Sequence, residues 1–208
     1  MGTTSFLFNL SDSAKSLITI IGFLIGVLGF ALTIYSLVKS NREKRAKKNI
    51  KWEDLQSAAA YLSKKIKEAR DIPDAIFTFS GRGAVIADLI CYGLNHNIPV
   101  FVGLDIWKKE WGNLIFPGFI NYETNKWYLH IPEIIYDFKS RKILIINDYT
   151  MSGDWIEKTR SKLEGFQHIK FLSIVTTNLA KRRNQAPDYY WTIRADDDDF
   201  YFPWGKAE

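Results

Sequence analysis

The chain contains a single cysteine, Cys91, among its 208 residues. One thiol excludes an intramolecular disulfide framework and a cysteine-rich zinc site, and it is typical of a protein in a reducing compartment. The sequence also lacks a Walker phosphate loop, a Ser-His-Asp order and a zinc-ligand pattern. Hydrophobic residues make up 47% of the chain and charged residues 25%, so the composition indicates a globular protein rather than a disordered or fibrous one.

The formal net charge is +5, which on its own suggests a nucleic-acid binder. The charge, however, is concentrated in one short segment. Residues 39–51 hold seven basic side chains and one acidic side chain, a net of +6, so the other residues sum to −1. The basicity therefore belongs to this segment and not to the domain that follows it, and no direct nucleic-acid partner is expected.

Charged residues are missing altogether from Ser16 to Val38. A helix of this length reaches roughly 34 Å at about 1.5 Å per residue, enough to cross a hydrocarbon core of about 30 Å. A signal peptide fits less well, because its apolar core has only about 7–15 residues and ends at a small-residue cleavage site. A buried core helix is the other alternative, but this stretch is apolar on every side. The sequence therefore predicts one transmembrane helix over residues 16–38.

The flanks of the predicted span indicate its orientation. Asp12 and Lys15 precede it, whereas the +6 segment follows it. Because basic residues stay on the cytoplasmic side, we expect a single-pass protein of the inner or plasma membrane, with residues 1–15 outside and residues 52–208 in the cytoplasm. The basic segment 39–51 is expected to contact anionic lipid headgroups.

Residues 52–208 alternate between helical and extended patterns. Helices are predicted over Trp52–Arg70, Ala84–Leu94 and Trp155–Glu164. Strands are predicted over Ala75–Ser80, Ile98–Leu104, Lys142–Ile146 and His168–Thr176. Residues 107–136 form an irregular, aromatic-rich stretch that is expected to contain short strands. This alternation predicts an α/β domain with a mainly parallel sheet and helices on both faces. Ligands of such sheets bind beyond the carboxyl ends of the strands, so the polar turns there form the candidate site.

The turn after the third predicted strand carries the most informative polar residues. Residues 143–155, ILIINDYTMSGDW, join an apolar strand to a helix. Asp148, at the strand end, can accept hydrogen bonds from two vicinal sugar hydroxyls. Residues 150–153 offer hydroxyls and backbone N–H groups at a helix N-terminus, which suits a phosphate. The residues alone leave an alternative open, an ordinary turn whose Asp and Ser cap the helix.

Residues 143–155 also resemble the PRPP-binding motif of type I phosphoribosyltransferases. In that motif four hydrophobic residues and two acids precede a Thr-Gly-x-Thr phosphate loop. Residues 79–90, FSGRGAVIADLI, resemble the family's pyrophosphate loop and the helix after it. The segments PDYY at 187–190 and FPW at 202–204 are similar to the tail of the family's xanthine–guanine branch. The resemblance covers about residues 73–204, with the motifs in the family's order.

The resemblance implies a ligand and a set of binding residues. The ligand would be PRPP or a related nucleotide with Mg²⁺, and the activity would be transfer or hydrolysis of a phosphoribosyl group. Asp148 would bind the ribose hydroxyls and the metal and act in catalysis, while residues 107–136 fall where the family has a mobile hood over PRPP. The residues that would bind PRPP or nucleotide are Gly81, Arg82, Gly83, Asn147, Asp148, Thr150, Met151, Ser152, Gly153, Asp154 and Trp155. The base would contact Thr177 and Phe200.

Five positions depart from the family's pattern. Asn147 replaces the first acid, Ser152 and Trp155 replace the two Thr residues of the phosphate loop, and Thr177 stands where purine enzymes carry a Lys that reads the base. The aromatic residue that stacks on the base, five positions before the last Trp, matches Asp199, and the adjacent Phe200 is its substitute. Ribose and pyrophosphate recognition therefore fit better than recognition of the base and the 5′-phosphate. Three hypotheses follow: a membrane-anchored enzyme, a nucleotide sensor without turnover, or a membrane effector of a bacterial anti-phage defence system. A homo-oligomer is expected.

Overall fold

The computed structural model describes residues 21, 26–36, 39, 49–109, 114–196 and 200–207. It divides the chain into two compact units, Met1–Asn49 and Ile50–Glu208. In the first unit, Ile21 and residues 26–36 (α1) are helical. No helix among the described residues is long and apolar enough to cross a membrane. The rest of the predicted span 16–38, together with residues 1–15 and 40–48, lies outside the described residues.

The described part of the second unit contains four α-helices, ten strands and one 3₁₀ helix. In chain order they are α2 (Trp52–Glu68), β1 (Ala75–Thr78), α3 (Gly81–Leu94), β2 (Val100–Val102), β3 (Leu104–Trp107), β4 (Phe119–Glu123), β5 (Trp127–Pro132), a 3₁₀ helix (Glu133–Phe138), β6 (Lys142–Thr150), α4 (Asp154–Lys162), β7 (His168–Thr177), α5 (Asn178–Arg182), β8 (Tyr189–Arg194), β9 (Tyr201–Phe202) and β10 (Gly205–Lys206).

The central sheet has five strands in the order β2-β1-β6-β7-β8, and every neighbouring pair is parallel. Side chains alternate between its two faces, as they do along any strand. Ile76 and Leu144 belong to the core that α2 and α3 cover, whereas Phe77 and Ile145 belong to the core that contains Trp155 of α4. The predicted α/β class, with a mainly parallel sheet and helices on both faces, is confirmed.

A second sheet of three antiparallel strands has the order β3-β5-β4. Strands β4 and β5 are short strands within the stretch 107–136, where the sequence predicts such strands, and β3 ends at the first residue of that stretch. We call this second sheet the hood sheet. Two hydrogen bonds join it to α4: the Tyr122 and Thr159 hydroxyls lie 2.6 Å apart, and the Asn125 backbone N–H donates to Asp154 Oδ2 over 2.9 Å. The hood sheet is therefore tied to the helix that begins at the predicted phosphate turn.

Two boundaries near the predicted site differ from the sequence-based expectation, and one strand is additional. Strand β6 continues to Thr150 instead of ending at Ile146, because Asn147, Tyr149 and Thr150 pair with the long strand β7. Helix α3 begins at Gly81, so the GRG sequence is the first helical turn and not a loop. Strand β8 was not predicted.

The chain ends in a short hairpin, β9 and β10, which we call the C-terminal hairpin (Tyr201–Lys206). The backbone N–H of Ile50 donates to the Tyr201 carbonyl over 2.8 Å. The ring of Trp204 stacks on Phe202 with centroids 5.1 Å apart and meets the edge of Trp52 at 6.0 Å. The first and last described segments of the second unit are thus in direct contact.

Candidate functional site

A cavity of about 260 Å³ lies where the sequence analysis placed the candidate site. Its walls come from the first turn of α3, the carboxyl-terminal half of β6, the turn into α4, helix α5 and the hood sheet. The lining residues are Arg82, Asp105, Thr124, Asn125, Lys126, Trp127, Leu129, Asn147, Asp148, Tyr149, Met151, Ser152, Asp154, Trp155, Leu179 and Arg183.

The cavity brings together some of the predicted site residues and leaves others out. Those that line it are Arg82, Asn147, Asp148, Met151, Ser152, Asp154 and Trp155. Gly81, Gly83, Thr150, Gly153, Thr177 and Phe200 do not line it. Of the GRG sequence only Arg82 lines the cavity. Gly83 lies close to Thr78 and the Ile146 carbonyl oxygen, and a Cβ on it would be 2.9 Å and 3.1 Å from their nearest atoms.

Arg82 is held between two carboxylates. Its Nη2 lies 2.6 Å from Asp105 Oδ2, and its Nε lies 3.8 Å from Asp148 Oδ2. The Arg82 guanidinium also lies 6.0 Å from the Trp127 ring centroid in the hood sheet. The arginine predicted to hold pyrophosphate is therefore already engaged by two acids, and the trio carries a net charge of −1 when both carboxyls are ionised.

Burial dominates the protonation of both acids. Loss of solvent raises the pKa of Asp148, and the neighbouring Arg82 guanidinium opposes that rise. The same two causes act on Asp105, whose pKa is also raised. A raised folded-state pKa means that each carboxyl stabilises the fold most when protonated, and that this contribution is lost as the pH rises through the folded-state pKa. Near neutral pH, the charge of Arg82 reduces the free-energy cost of keeping these two buried carboxyls ionised.

Asp148 has one further partner, which comes from the end of the chain. Trp204 Nε1 donates a hydrogen bond to Asp148 Oδ2 over 3.0 Å. Asp148 is 5% exposed, while Trp204 is half-buried. The oxygen atom predicted to accept a ribose hydroxyl is therefore shared by an indole N–H and the charge of Arg82.

The predicted phosphate turn is partly filled by its own side chains. Trp155 Nε1 donates to Thr150 Oγ1 over 3.1 Å, and the Thr150 and Ser173 hydroxyls lie 2.7 Å apart. The Trp155 ring is buried and meets Phe79 and Phe171 edge-on, with centroids 5.5 Å away in each case. The Thr150 hydroxyl that the family resemblance assigned to phosphate is thus bonded inside the protein.

The rest of the turn is arranged around Gly153 and Asp154. Gly153 has φ +79°, and a Cβ there would lie 2.4 Å from the Gln185 carbonyl oxygen, so only glycine fits. The Asp154 backbone N–H donates to Ser152 Oγ over 3.4 Å, and its carboxylate accepts the Asn125 N–H described above. An acidic side chain at this helix start disfavours a bound phosphate by charge repulsion, even though the helix dipole attracts one.

The two residues predicted to contact the base are buried elsewhere. Thr177 is the N-cap of α5; its hydroxyl accepts the Ala180 N–H and donates to the Met151 carbonyl. Phe200 is 1% exposed and packs against Tyr149 and Phe202. Capping engages the hydroxyl of Thr177, and the aromatic core covers the ring of Phe200. The structure therefore places both residues away from the cavity, and their contact with a base stays a prediction.

Several lining residues were missed by the sequence analysis. Asp105 and Trp127 lie on strands of the hood sheet, Lys126 directly precedes β5, and Arg183 follows α5. Only Asp105 could have been found from the sequence, because it is an acid within the otherwise apolar sequence VFVGLDIW. Neither Lys126 nor Arg183 forms an ion pair within the described part of the chain. Both are exposed, so they place positive charge at the rim of the cavity.

The Mg²⁺ implied by the family resemblance was tested against this donor set. No group of three or more His, Cys, Asp or Glu side chains among the described residues is placed to hold a metal ion. The two carboxylates that face the cavity most closely, Asp105 and Asp148, already engage the Arg82 guanidinium. These residues therefore do not fit a resident divalent ion, and the magnesium site stays a prediction.

Comparison with solved structures identifies the fold. A purine phosphoribosyltransferase from Pyrococcus horikoshii aligns with a TM-score of 0.53 and 18% identity, over 77% of this chain and 97% of that chain. A hypothetical protein from Neisseria gonorrhoeae with bound ppGpp aligns with a TM-score of 0.53 and 14% identity, over 74% and 86%. The xanthine-guanine-hypoxanthine phosphoribosyltransferase of Helicobacter pylori aligns with a TM-score of 0.50 and 16% identity, over 74% and 90%.

No protein-family model matches the sequence, and no curated protein matches it either. The similarity to these structures lies in the backbone and not in close sequence identity. The second unit therefore has a type I phosphoribosyltransferase-like fold, as the sequence resemblance implied. A likeness at this level of identity gives the fold alone, so the chemistry has to be argued from the cavity itself.

Proposed function

We propose that the second unit binds a ribose- and phosphate-containing ligand, PRPP or a nucleotide, in the cavity and senses it without transferring its phosphoribosyl group. The observation that carries this proposal is the position of Trp155. Trp155 lines the cavity, and its indole N–H donates a hydrogen bond to the Thr150 hydroxyl. A transferase of this fold needs that turn open for the 5′-phosphate, so the filled turn favours binding over turnover.

The distribution of charge in the cavity supports a ligand with hydroxyls at one end and phosphate at the other. The Arg82–Asp105–Asp148 trio has excess negative charge, and a carboxylate oxygen accepts hydrogen bonds from hydroxyls well. Lys126 and Arg183 place positive charge at the rim. We infer that the ligand's phosphate contacts these two cations instead of the turn that begins α4, where Asp154 would repel it.

A phosphoribosyl transferase or hydrolase is the second candidate function. It is favoured by Asp148, which lines the cavity at the end of β6, where the sequence resemblance expects an acid that binds the ribose. Binding and turnover are separated by one experiment. The full chain is incubated with PRPP, Mg²⁺ and a panel of bases, and heat of binding is recorded in parallel with pyrophosphate release; GMP and ppGpp serve as further binding probes.

The sensor proposal predicts binding heat for at least one of these probes, with pyrophosphate release no faster than in the absence of protein. Release that is abolished by Asp148→Asn would instead assign the transferase function. Absence of both binding and release would contradict the two candidates together. The probes cover a ligand with a pyrophosphate, a monophosphate and a nucleotide with two phosphorylated ends, so they test the cavity with different charge distributions.

Replacing either rim cation is predicted to weaken binding of the probe. Lys126→Ala and Arg183→Ala should each reduce affinity about tenfold, since a charge-assisted hydrogen bond is worth about 1.5–3 kcal/mol and both residues are partly solvated. Lys181→Ala is the matched control, because Lys181 is an exposed cation on α5 that does not line the cavity. If Lys126→Ala and Arg183→Ala both bind the probe as tightly as Lys181→Ala and the unmodified chain do, the rim does not bind phosphate.

We also propose that the chain is anchored in a membrane through Ser16–Val38, with the basic segment 39–51 on the cytoplasmic side and the second unit attached to it. The charge-free run of residues and the asymmetry of its flanks support this proposal. Retention of the chain in the membrane fraction after an alkaline wash would agree with an anchor, whereas release would contradict it. Self-association and a role in anti-phage defence stay predictions.

A further inference from the structure

The C-terminal hairpin contacts both the cavity and the beginning of the second unit. On one side, Trp204 Nε1 donates to Asp148, a lining residue, although Trp204 is not itself part of the lining. On the other side, the Tyr201 carbonyl accepts the Ile50 N–H, and the Trp204 ring meets Trp52. One short element therefore connects the predicted ligand-binding carboxylate to the point where the N-terminal unit ends in the chain.

The ladder between the two strands of the hairpin is short. Its two strands contribute only two residue pairs, Gly205 with Phe202 and Lys206 with Tyr201. Phe202 is buried in the core, but Trp204 is half-buried and fixed by its stack on Phe202 and by the hydrogen bond to Asp148. A hydrogen bond to a charged group contributes more than a neutral one. The Asp148 contact is therefore one of the interactions that position Trp204, beside its stack on Phe202 and its edge contact with Trp52.

A ligand that binds Asp148 competes for the same atom. A carboxylate that accepts hydrogen bonds from two vicinal hydroxyls uses both of its oxygens, as it does in bidentate recognition generally. Asp148 Oδ2 already accepts the Trp204 N–H and faces Arg82 Nε at 3.8 Å. A carboxylate oxygen has about two acceptor positions, and the Trp204 N–H and Arg82 face both of them on Oδ2. A ribose hydroxyl that binds Oδ2 therefore has to take the position of the Trp204 N–H.

We propose that the C-terminal hairpin is a latch that reports occupation of the cavity to the start of the second unit. A ribose diol on Asp148 displaces the Trp204 N–H, and the hairpin then loosens its contacts with Ile50 and Trp52. The inference rests on the proposed function, since it concerns how binding in that cavity is passed on. Ile50 is the first residue of the second unit and directly follows Asn49 in the sequence. Loss of its hydrogen bond to Tyr201 therefore alters the backbone at the point where the second unit begins.

The latch is tested first without ligand. Trp204→Phe in the full chain keeps an aromatic ring on Phe202 but removes the N–H, and we expect the Ile50 amide to exchange with solvent deuterium about tenfold faster. Trp191→Phe is the matched control, because Trp191 is partly buried against the same core. Asp148→Asn weakens the same hydrogen bond from its other end and should also speed exchange at Ile50.

Faster exchange confined to Ile50 and the C-terminal hairpin supports the latch. Unchanged exchange in Trp204→Phe overturns it, and so does an equal acceleration across the whole second unit, because that would mean general loss of stability. The Trp191→Phe control should leave the Ile50 amide unaffected.

The second arm adds the probes PRPP and GMP to the unmodified full chain. Binding should speed exchange at Ile50, and Trp204→Phe should bind the same probe several-fold more tightly, because its competitor for Asp148 is gone. Binding without any change at Ile50 overturns the latch but leaves the proposed function standing. If neither of these probes binds and ppGpp does not bind either, the proposed function is contradicted and the latch loses its role as a reporter.

Discussion

Replacing Arg82 by Leu is expected to lower the free energy of unfolding by about 3 kcal/mol or more near neutral pH. The substitution leaves Asp105 and Asp148 with no cation between them, and their side chains are only 14% and 7% exposed. Removing one partner of a buried ion pair is costly because the remaining charge stays desolvated. Urea denaturation followed by tryptophan fluorescence measures this loss, since all seven tryptophans lie after residue 51.

The loss should depend on pH in a defined direction. Burial already raises the pKa of both acids, and without the guanidinium both folded-state pKa values rise further. The variant should therefore approach the wild type below the ordinary Asp pKa of about 3.9, where both carboxyls are protonated, and fall behind as the pH rises through the folded-state values. Adding Asp105→Asn to Arg82→Leu should restore part of the stability at neutral pH.

Arg160→Leu provides the control for these measurements. Arg160 pairs with Asp188 at 3.7 Å, but its side chain is 51% exposed, so its loss should cost no more than about 1 kcal/mol. A deficit in Arg82→Leu that equals that of Arg160→Leu at every pH would contradict the account of a buried trio.

The second large effect is expected at Trp155. Trp155→Ala should destabilise the fold by about 3–5 kcal/mol, because the ring is 8% exposed and packs between Phe79 and Phe171. Trp155→Phe keeps most of that packing and loses the hydrogen bond to Thr150, so it should cost about 1 kcal/mol. Thr150 retains Ser173 as a partner, which limits the cost.

Trp107→Ala is the comparison for Trp155. Trp107 stacks on Trp127 in the hood sheet with centroids 6.3 Å apart, but it remains partly exposed. Its replacement should cost clearly less than that of Trp155 in the same thermal or urea unfolding measurement. If Trp155→Ala were as mild as Trp107→Ala, Trp155 would be loosely seated and the phosphate turn would not be filled in the way described.

The candidate site was only partly predictable from the sequence, and individual residues show why. Asp148 could be assigned because a polar residue at the end of an apolar strand lies at the ligand-binding edge of a parallel sheet. For Phe200 the family pattern gives a distance along the chain from the last tryptophan and not its neighbours, and in the structure Tyr149 and Phe202 cover its ring. For Thr177 the pattern gives a position after a strand, whereas in the structure the Thr177 hydroxyl is engaged at the start of α5.

The end of β6 also shows the difference between a local sequence pattern and contacts that only the fold creates. The sequence NDYT contains turn-forming residues, so a turn was predicted at Asn147. The extension of β6 to Thr150 depends on its pairing with β7, whose Ser173 and Thr176 lie opposite Asn147 and Thr150. Pairing with a distant strand thus outweighs the local preference, as it often does in sheets.

Local patterns in the sequence were sufficient for the α/β class, the parallel central sheet and the place of the candidate site, because periodicity and strand ends follow from neighbouring residues. The partners inside that site were decided by tertiary structure alone. Arg82 finds Asp105 23 positions away, and Asp148 finds Trp204 56 positions away. No local rule relates such positions; only the folded chain brings their charges and hydrogen-bonding atoms together. The proposed C-terminal latch depends on the second of these contacts.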